Sequence, residues 1–184
     1  MAKSINTTLT ESVVKGLRVG DEILLTGEIF TARDAAHKRL VDLLDSGKEL
    51  PVELRDKIIY FVGPSPAKPG SPIGSAGPTT SYRMDAYSPR LIRDCGLRGM
   101  IGKGDRSKEV IDAMVECSAL YFAATGGAAA LIANSVESAE IVTYEDLGPE
   151  AIRRLVVKDF PVVVAIDSCG NSLYKDGPAK YRRD

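Results

Sequence analysis

Apolar residues along the chain change between strand-like and helix-like spacings. The segment Leu17–Phe30 (LRVGDEILLTGEIF) predicts a turn followed by a β-strand. A helix capped by Thr31 is expected next, because apolar residues recur at i, i+4, i+7 and i+8 from Ala36. This apolar stripe stops at Ser46 and Gly47, where the helix is expected to end.

The alternation continues through the rest of the chain. Short apolar runs predict strands at Lys57–Val62, Gly99–Gly102, Ala119–Ala123, Glu140–Thr143 and Phe160–Ile166. Helices are expected after Ser88 as N-cap with Pro89 at the first helical position, after Asp105 as N-cap, after Gly126 and Gly127, and over Pro149–Val156. Alternating strands and helices favour an α/β fold, a mixed sheet layered with helices, and the early strands add β/β/α character. One domain over residues 1–184 is expected.

One segment, Gly63–Pro78, interrupts this pattern with four glycines and five prolines in 16 residues. Such a composition excludes a regular helix or a central strand. An interdomain linker and a functional loop are both open, because long loops without regular structure are usually one or the other. The prolines stiffen the segment, and aromatic residues follow it, which favours an active-site loop.

The charge and apolar content exclude several classes of protein. The 184 residues carry 24 Lys and Arg against 25 Asp and Glu with no basic block, so nucleic-acid binding is not expected. The longest apolar runs are far shorter than the ~20 residues that a bilayer requires, so no membrane span is expected. The polar start MAKSINTTLTES lacks the apolar core of a signal peptide, which predicts a cytoplasmic protein.

Soft metal ligands are scarce in this sequence. Cys95, Cys117 and Cys169 are widely spaced, and His37 is the single histidine. This pattern does not predict a self-contained zinc or iron–sulfur site, so metal ligands are expected to be absent from this chain. Chemistry at this protein must depend on other residues or on a partner.

The densest group of reactive side chains follows the loop, in GPTTSYRMDAY. It places the hydroxyls of Thr79 and Thr80, the guanidinium of Arg83 and the carboxylate of Asp85 within seven residues. A capping turn at the end of a linker would explain the same residues. Hydroxyl and guanidinium groups in one loop also suit the binding of a small anion.

Two further cations lie at strand-to-helix junctions. Arg33 precedes a predicted helix, where its charge opposes the helix dipole, and Lys103 lies between glycines in GKGD. A solvated Arg33, or one paired with Asp34, and an exposed turn lysine are the simpler interpretations. If Arg33, Arg83 and Lys103 converge, they suit a substrate with two carboxylates.

Five blocks in order along the chain are similar to a known family. They read VGDEILLTGEIFTARDAAHKR, GPTTSYRMDAY, IGKGDRS, ATGGAAAL and VAIDSCGNSLY. With these blocks the chain resembles the beta subunit, or C-terminal catalytic domain, of the iron–sulfur-dependent class I fumarases and the related L-tartrate dehydratases.

The resemblance implies a swivelling β/β/α domain that closes over a 4Fe–4S cluster, which a separate alpha subunit or N-terminal domain holds. A heterotetramer of two alpha and two beta chains is expected. By the same resemblance Arg33, Arg83 and Lys103 bind the substrate, and Thr79 both contacts the substrate and acts as the catalytic base. Arg83 and Lys103 also offset charge in the reaction, whereas Thr80 and Asp85 support the site.

The implied reaction is the reversible hydration of fumarate to (S)-malate by a hydro-lyase. L-Tartrate dehydratase is the alternative, because Tyr82 stands where fumarases commonly carry a small residue. A non-catalytic carrier module with His37 as phospho-acceptor and an enzyme with Cys169 as nucleophile are the remaining hypotheses.

Overall fold

The computed structural model of this chain describes residues 2–124, 129–175 and 177. Within these ranges the strands are β1 (Lys3–Asn6), β2 (Glu22–Thr31), β3 (Ile58–Tyr60), β4 (Gly99–Gly102), β5 (Leu120–Ala123), β6 (Val136–Thr143) and β7 (Ile152–Ile166). The α-helices are α1 (Glu11–Lys15), α2 (Asp34–Asp45), α3 (Ser88–Cys95), α4 (Lys108–Cys117) and α5 (Ala129–Asn134). Short 3-10 helices cover Ser81–Met84 and Glu145–Glu150. None of the helices described has the length and apolar content to cross a bilayer.

The seven strands that the described ranges contain form one mixed sheet in the order β1-β2-β3-β4-β5-β7-β6. Strands β2, β3, β4 and β5 are parallel neighbours, and β7 is antiparallel to β5. Because β7 also pairs with β2 in antiparallel register, these five strands close into a ring. Strands β1 and β6 extend β2 and β7 on the outside of this ring.

Two apolar cores separate the layers of the fold. Ile58 and Tyr60 of β3 point into a core that the strands of the ring enclose. The next residues along the chain, Ile59 and Phe61, point into a second core shared with helices α2, α3 and α4. Successive residues of a strand face opposite sides of the sheet, so β3 divides its apolar side chains between the two cores. The expected mixed sheet layered with helices, with β/β/α character, is confirmed.

The prediction of a helix over residues 149–156 is wrong. The chain forms a 3-10 helix over Glu145–Glu150 and then enters the 15-residue strand β7. Ile152, Leu155 and Val156 have a spacing that fits a helix, but β-branched residues favour strands. Antiparallel pairing with β2 along nearly its whole length decides for the strand, and it buries Ile152, Leu155 and Val157.

Several expected helix starts are also displaced by one or two residues. Arg33 rather than Thr31 is the N-cap of α2, because Thr31 is the last residue of β2. Tyr87 rather than Ser88 precedes α3, and Ser107 rather than Asp105 caps α4 by accepting the backbone N–H of Val110.

The N-terminal segment contains structure that the apolar pattern does not reveal. Strand β1 and helix α1 lie within the polar opening of the chain, and Thr10 caps α1 through its side chain. The expected Ala-rich helix is confirmed as α5, whereas Gly126 and Gly127 lie outside the described residues.

Parallel pairing of β2, β3, β4 and β5 brings their carboxyl ends to one edge of the sheet. Arg33 follows β2, and Lys103 follows β4 directly. The loop 63–78 begins close after β3 and returns the chain to the same edge at Thr79. Ligands commonly bind at the carboxyl edge of parallel strands, both in open α/β sheets and in closed barrels, so this edge is the expected location of a site.

Candidate functional site

Thr79 and Lys103 are held side by side by backbone pairing. The N–H of Thr79 donates to the carbonyl of Phe61 at 2.7 Å, which adds the end of the loop to the sheet just beyond β3. Thr80 forms a parallel bridge with Lys103, and the N–H of Ser81 donates to the Lys103 carbonyl at 2.9 Å. The Lys103 side chain is exposed. The predicted base and the predicted lysine therefore lie on adjacent segments at the carboxyl edge.

A close approach behind these residues fixes the two segments together. A Cβ atom on Gly102 would overlap the Ser81 hydroxyl, so only glycine permits this contact. The Ser81 hydroxyl and the Tyr121 hydroxyl are 2.8 Å apart, and Tyr121 donates to the Gly104 carbonyl at 2.9 Å. Burial raises the pKa of Tyr121, so its phenol keeps the proton that it donates.

Arg33 lies against two carboxylates without hydrogen-bonding to either. Its Nε is 4.0 Å from Asp34 Oδ2, and its Nη2 is 3.7 Å from Glu150 Oε1. Within the described part of the chain, the buried Nε of Arg33 has no hydrogen-bond partner. Gly63 permits the guanidinium to pass, since a Cβ there would lie 2.5 Å from Arg33 Nη1. Glu150 is also bonded to α2, by accepting the N–H of Ala35 at 2.9 Å.

Arg83 has a different environment, although it lies near Arg33. Asp34 accepts the Arg83 Nε–H at Oδ1 over 2.9 Å, and Asp34 Oδ2 is 2.8 Å from Arg83 Nη2. The simple interpretation that Arg33 pairs with Asp34 holds as a long ion pair, whereas the close, hydrogen-bonded partner of Asp34 is Arg83. Through Asp34 the two arginines become neighbours, and the 3-10 helix Ser81–Met84 joins Arg83 to Thr79.

A buried ion pair stabilises the same edge from behind. Arg106 Nε donates to Asp85 Oδ1 at 2.7 Å, and the Arg106 side chain has no exposed surface. Arg106 Nη2 also donates to Ser88 Oγ at 2.8 Å, and its guanidinium lies over the rings of Phe61 and Tyr121. Asp85 thus has the supporting contacts that a scaffold residue needs.

Sequence reasoning missed Arg106 and Glu150. The partners of these residues are distant along the chain, and no motif spacing links them. The only local signal for Arg106 is its position directly after GKGD, next to Lys103 in one turn.

The environment of His37 contradicts its proposed role as an exposed phospho-acceptor. Its side chain is fully buried, Nδ1 lies 2.8 Å from the Arg33 carbonyl, and the ring packs edge-on against Phe61. Burial lowers the pKa of His37 to about 4, which keeps the ring neutral. His37 therefore packs beneath Arg33 rather than meeting a carrier partner.

Cys169 lies away from the paired groups, whereas Tyr82 precedes Arg83 in the 3-10 helix Ser81–Met84. Cys169 is exposed and follows β7, which runs antiparallel to β2 and β5. The carboxyl end of β7 lies at the opposite edge of the sheet, so Cys169 cannot be a nucleophile next to Thr79. Tyr82 is 66% exposed at the surface. Among the described residues, no group of three or more His, Cys, Asp or Glu side chains could hold a metal ion.

Comparisons with known proteins all point to one family. The family model described as "Fumarase C-terminus" matches residues 2–177. A protein of Methanocaldococcus jannaschii, provisionally named L(+)-tartrate dehydratase subunit beta, is 42% identical over 91% of this chain and 89% of its own length. The anaerobic class I fumarate hydratase of Escherichia coli K12 is also 42% identical, over 85% of this chain and 29% of its own length. Fumarate hydratase 1 of Leishmania major, named as mitochondrial, is 37% identical with the same coverages.

The chain spans less than a third of the length of the two fumarate hydratases and most of the length of the tartrate dehydratase subunit. All three relatives are hydro-lyases by name, and the family match covers nearly the whole chain. The chain therefore belongs to the fumarase C-terminus family of hydro-lyase domains.

Proposed function

We propose that this chain supplies the dicarboxylate-binding and proton-transfer residues of an enzyme that interconverts fumarate and (S)-malate. The observation that carries the proposal is the meeting of Arg33, Arg83, Lys103 and Thr79 at one edge of the sheet. Three cations and one hydroxyl suit a small dianion whose reacting carbon lies between two carboxylates. The residue roles come from the family resemblance, and the geometry supports them.

Arg33 is the strongest candidate for binding one substrate carboxylate. Its buried Nε has no hydrogen-bond partner in the described ranges, and an unsatisfied buried donor is costly. The neighbouring carboxylates of Asp34 and Glu150 lie 4.0 and 3.7 Å away, too far for a good hydrogen bond. A substrate carboxylate would satisfy this donor.

Thr79 Oγ1, as its alkoxide, is the proposed acceptor of the proton on the carbon next to one carboxylate of malate and becomes a neutral hydroxyl; in the hydration direction this hydroxyl gives the proton back to the carbon. A threonine hydroxyl is a weak base unless a nearby cation stabilises its anion. Asp34 already offsets the charge of Arg83, whereas Lys103 lies on the segment paired with Thr79. We therefore propose that Lys103 is the main cation that stabilises the Thr79 anion.

The family resemblance implies an iron–sulfur cluster, and the residues of this chain do not fit one. Cys95 and Cys117 lie at the ends of α3 and α4, and Cys169 lies at the opposite edge of the sheet. We propose that an alpha partner holds the cluster, in a complex of two alpha and two beta chains. The single domain, the active-site role of loop 63–78 and the cytoplasmic location stay predictions.

L(+)-Tartrate is the second candidate substrate. The relative that matches this chain over most of both lengths carries the name of a tartrate dehydratase subunit. Dehydration of tartrate uses the same elements, two carboxylates and a proton on the adjacent carbon. Tyr82 is 66% exposed, and this departure from the usual fumarase pattern keeps L-tartrate open as a substrate.

Reconstitution with an iron–sulfur alpha partner under anaerobic conditions tests the proposal. Turnover of fumarate and of L-tartrate is measured for the wild type, Thr79→Val, Lys103→Met and Lys108→Met. The first two variants should lose roughly 100-fold or more in kcat, the range expected for loss of acid–base catalysis. Lys108→Met is the matched control, because Lys108 is an exposed lysine that pairs with Asp112 on α4. Full activity of Thr79→Val would refute its role as base.

A further inference from the structure

We propose that Asp34 is a positioning residue that holds the Arg83 guanidinium ready for a substrate carboxylate. This inference rests on the proposed function and names a residue that the family resemblance does not assign. Asp34 acts through Arg83 and does not itself contact the substrate.

The contacts of Asp34 define which edge of the guanidinium it uses. Asp34 Oδ1 accepts the Nε–H of Arg83 at 2.9 Å, and Oδ2 lies 2.8 Å from Nη2. An arginine has five N–H donors, and this side-on pair uses the Nε–H as hydrogen-bond donor and places Nη2 beside Oδ2 as an ion pair. In the described part of the chain Nη1 has no hydrogen-bond partner, so the end-on edge formed by Nη1 and Nη2 is available to a second carboxylate.

A partner for Arg83 matters because the side chain is long and partly exposed. Its side chain is 41% exposed and extends from a four-residue 3-10 helix. A long flexible side chain loses rotamer entropy when it binds a ligand, and prior fixation reduces that cost. Asp34 can fix it because Asp34 opens helix α2, which buries Ala36 and Leu40 in the second core.

The same carboxylate also prevents the two arginines from repelling each other. Asp34 Oδ2 is 4.0 Å from Arg33 Nε and 2.8 Å from Arg83 Nη2, so it lies between the two cations. Like charges that approach each other without a counter-ion tend to separate. With Asp34 in place, both guanidinium groups can stay at the carboxyl edge before any substrate arrives.

Positioning and simple competition predict effects of opposite sign. If Asp34 only competed with the substrate for Arg83, the neutral variant Asp34→Asn would bind a dianion more tightly and KM would fall. If Asp34 positions Arg83, loss of the charged pair frees the guanidinium and KM rises. The sign of the change in KM therefore separates the two roles.

The experiment uses the complex with an iron–sulfur alpha partner and measures KM and kcat for fumarate. Asp34→Asn is expected to raise KM about tenfold, equivalent to about 1.4 kcal/mol, with kcat changed less than about threefold. The matched control is Asp45→Asn, which removes an Asp–Arg pair with Arg90 from the other end of α2 and should leave both constants unchanged. An unchanged or lower KM in Asp34→Asn would overturn the proposal.

A double variant tests whether Asp34 acts through Arg83. In the Arg83→Ala background, addition of Asp34→Asn should cause no further rise in KM, because the side chain to be positioned is gone. A rise of the same size in both backgrounds would show that Asp34 acts elsewhere. Thermal melting of each variant identifies unfolding, and Asp34→Glu, which keeps the charge, should recover part of the lost affinity.

Two measurements separate failure of this inference from failure of the proposed function. The ¹⁵N–¹H resonance of Arg83 Nε in the full chain should move on Asp34→Asn, and an unmoved resonance would refute the ion pair. Calorimetric titration of the complex with succinate, an unreactive dicarboxylate, should give a Kd about tenfold weaker in Asp34→Asn. If the wild type binds succinate in this way but turns over neither fumarate nor tartrate, the proposed reaction fails and the positioning role stands. Equal succinate affinity in both proteins would overturn the positioning role.

Discussion

Removal of the charge of Asp85 is expected to be the most destabilising isosteric change at this site. Asp85→Asn keeps the shape of the side chain but leaves the guanidinium of Arg106 buried without its counter-ion. Arg106 has no exposed side-chain surface, and its Nε donates to Asp85 at 2.7 Å. Asp85 Oδ2 also accepts the N–H of Ser107 at 2.6 Å, at the start of α4. The change therefore affects both a buried charge and a helix start.

The expected loss in the free energy of unfolding is about 3–5 kcal/mol, the range for breaking a buried pair by neutralising one partner. For a chain of this length that corresponds to a fall in Tm of roughly 6–20 °C. Arg106→Met should cost less, because Asp85 keeps 13% of its side-chain surface exposed and retains the Ser107 N–H. The double variant, with no charge left in the pair, should be more stable than the sum of the two single losses predicts.

Urea unfolding followed by far-UV circular dichroism measures these losses, since the chain has no tryptophan to report by fluorescence. Asp112→Asn is the control, because it removes an exposed pair with Lys108 on α4 and should cost no more than about 0.5 kcal/mol. A loss below about 1 kcal/mol for Asp85→Asn, or additive losses in the double variant, would refute the reasoning.

Three further predictions follow from the same geometry. Gly63→Ala should raise KM for the dicarboxylate about tenfold with little change in Tm, because the new Cβ would lie 2.5 Å from Nη1 of the flexible Arg33 side chain. Steady-state kinetics measure KM and thermal melting measures Tm. An unchanged KM would contradict the placement of Arg33. His37 has a folded-state pKa of about 4 against its ordinary 6.5, so below pH 6.5 the unfolded chain binds a proton that the folded chain does not. Stability should therefore fall by about 1.4 kcal/mol per pH unit from pH 6.5 down to about pH 4, and this slope should be absent from His37→Gln in urea unfolding at several pH values. Cys169→Ser should leave turnover of the assembled complex within about twofold of the wild type, and a large loss would contradict the position of Cys169 at the far edge of the sheet.

Much of the candidate site could be predicted because its residues follow strands that the apolar pattern reveals. Arg33 and Lys103 come after β2 and β4, and parallel strands end at the same edge. Thr79 was found from its motif, and the structure adds its pairing with the segment of Lys103. The motif could not show the direction of each side chain. It therefore could not show that Arg83 is hydrogen-bonded to Asp34 while the buried Nε of Arg33 has no partner among the described residues.

The residues that support the site could not be predicted from the sequence, because their partners are distant along the chain. Arg83 and Asp34 are 49 residues apart, Ala35 and Glu150 are 115 apart, and Arg106 and Asp85 are 21 apart. Side-chain pairing over such separations depends on how the layers pack, and no local spacing encodes it. A charged residue next to a motif looks the same in sequence whether it is solvated or buried in an ion pair.

The sequence by itself determined the fold class, the positions of most strands and the family, and it predicted the residue types of the candidate site. Those properties depend on local apolar periodicity and on short motifs, which are visible in one dimension. Only the tertiary structure decided that residues 152–157 form a strand, because pairing with β2 overrides their helix-compatible spacing. It also decided that Arg83 is hydrogen-bonded to a carboxylate while Arg33 makes only longer ion pairs, since burial and counter-ions come from segments that meet only when the ring of strands closes.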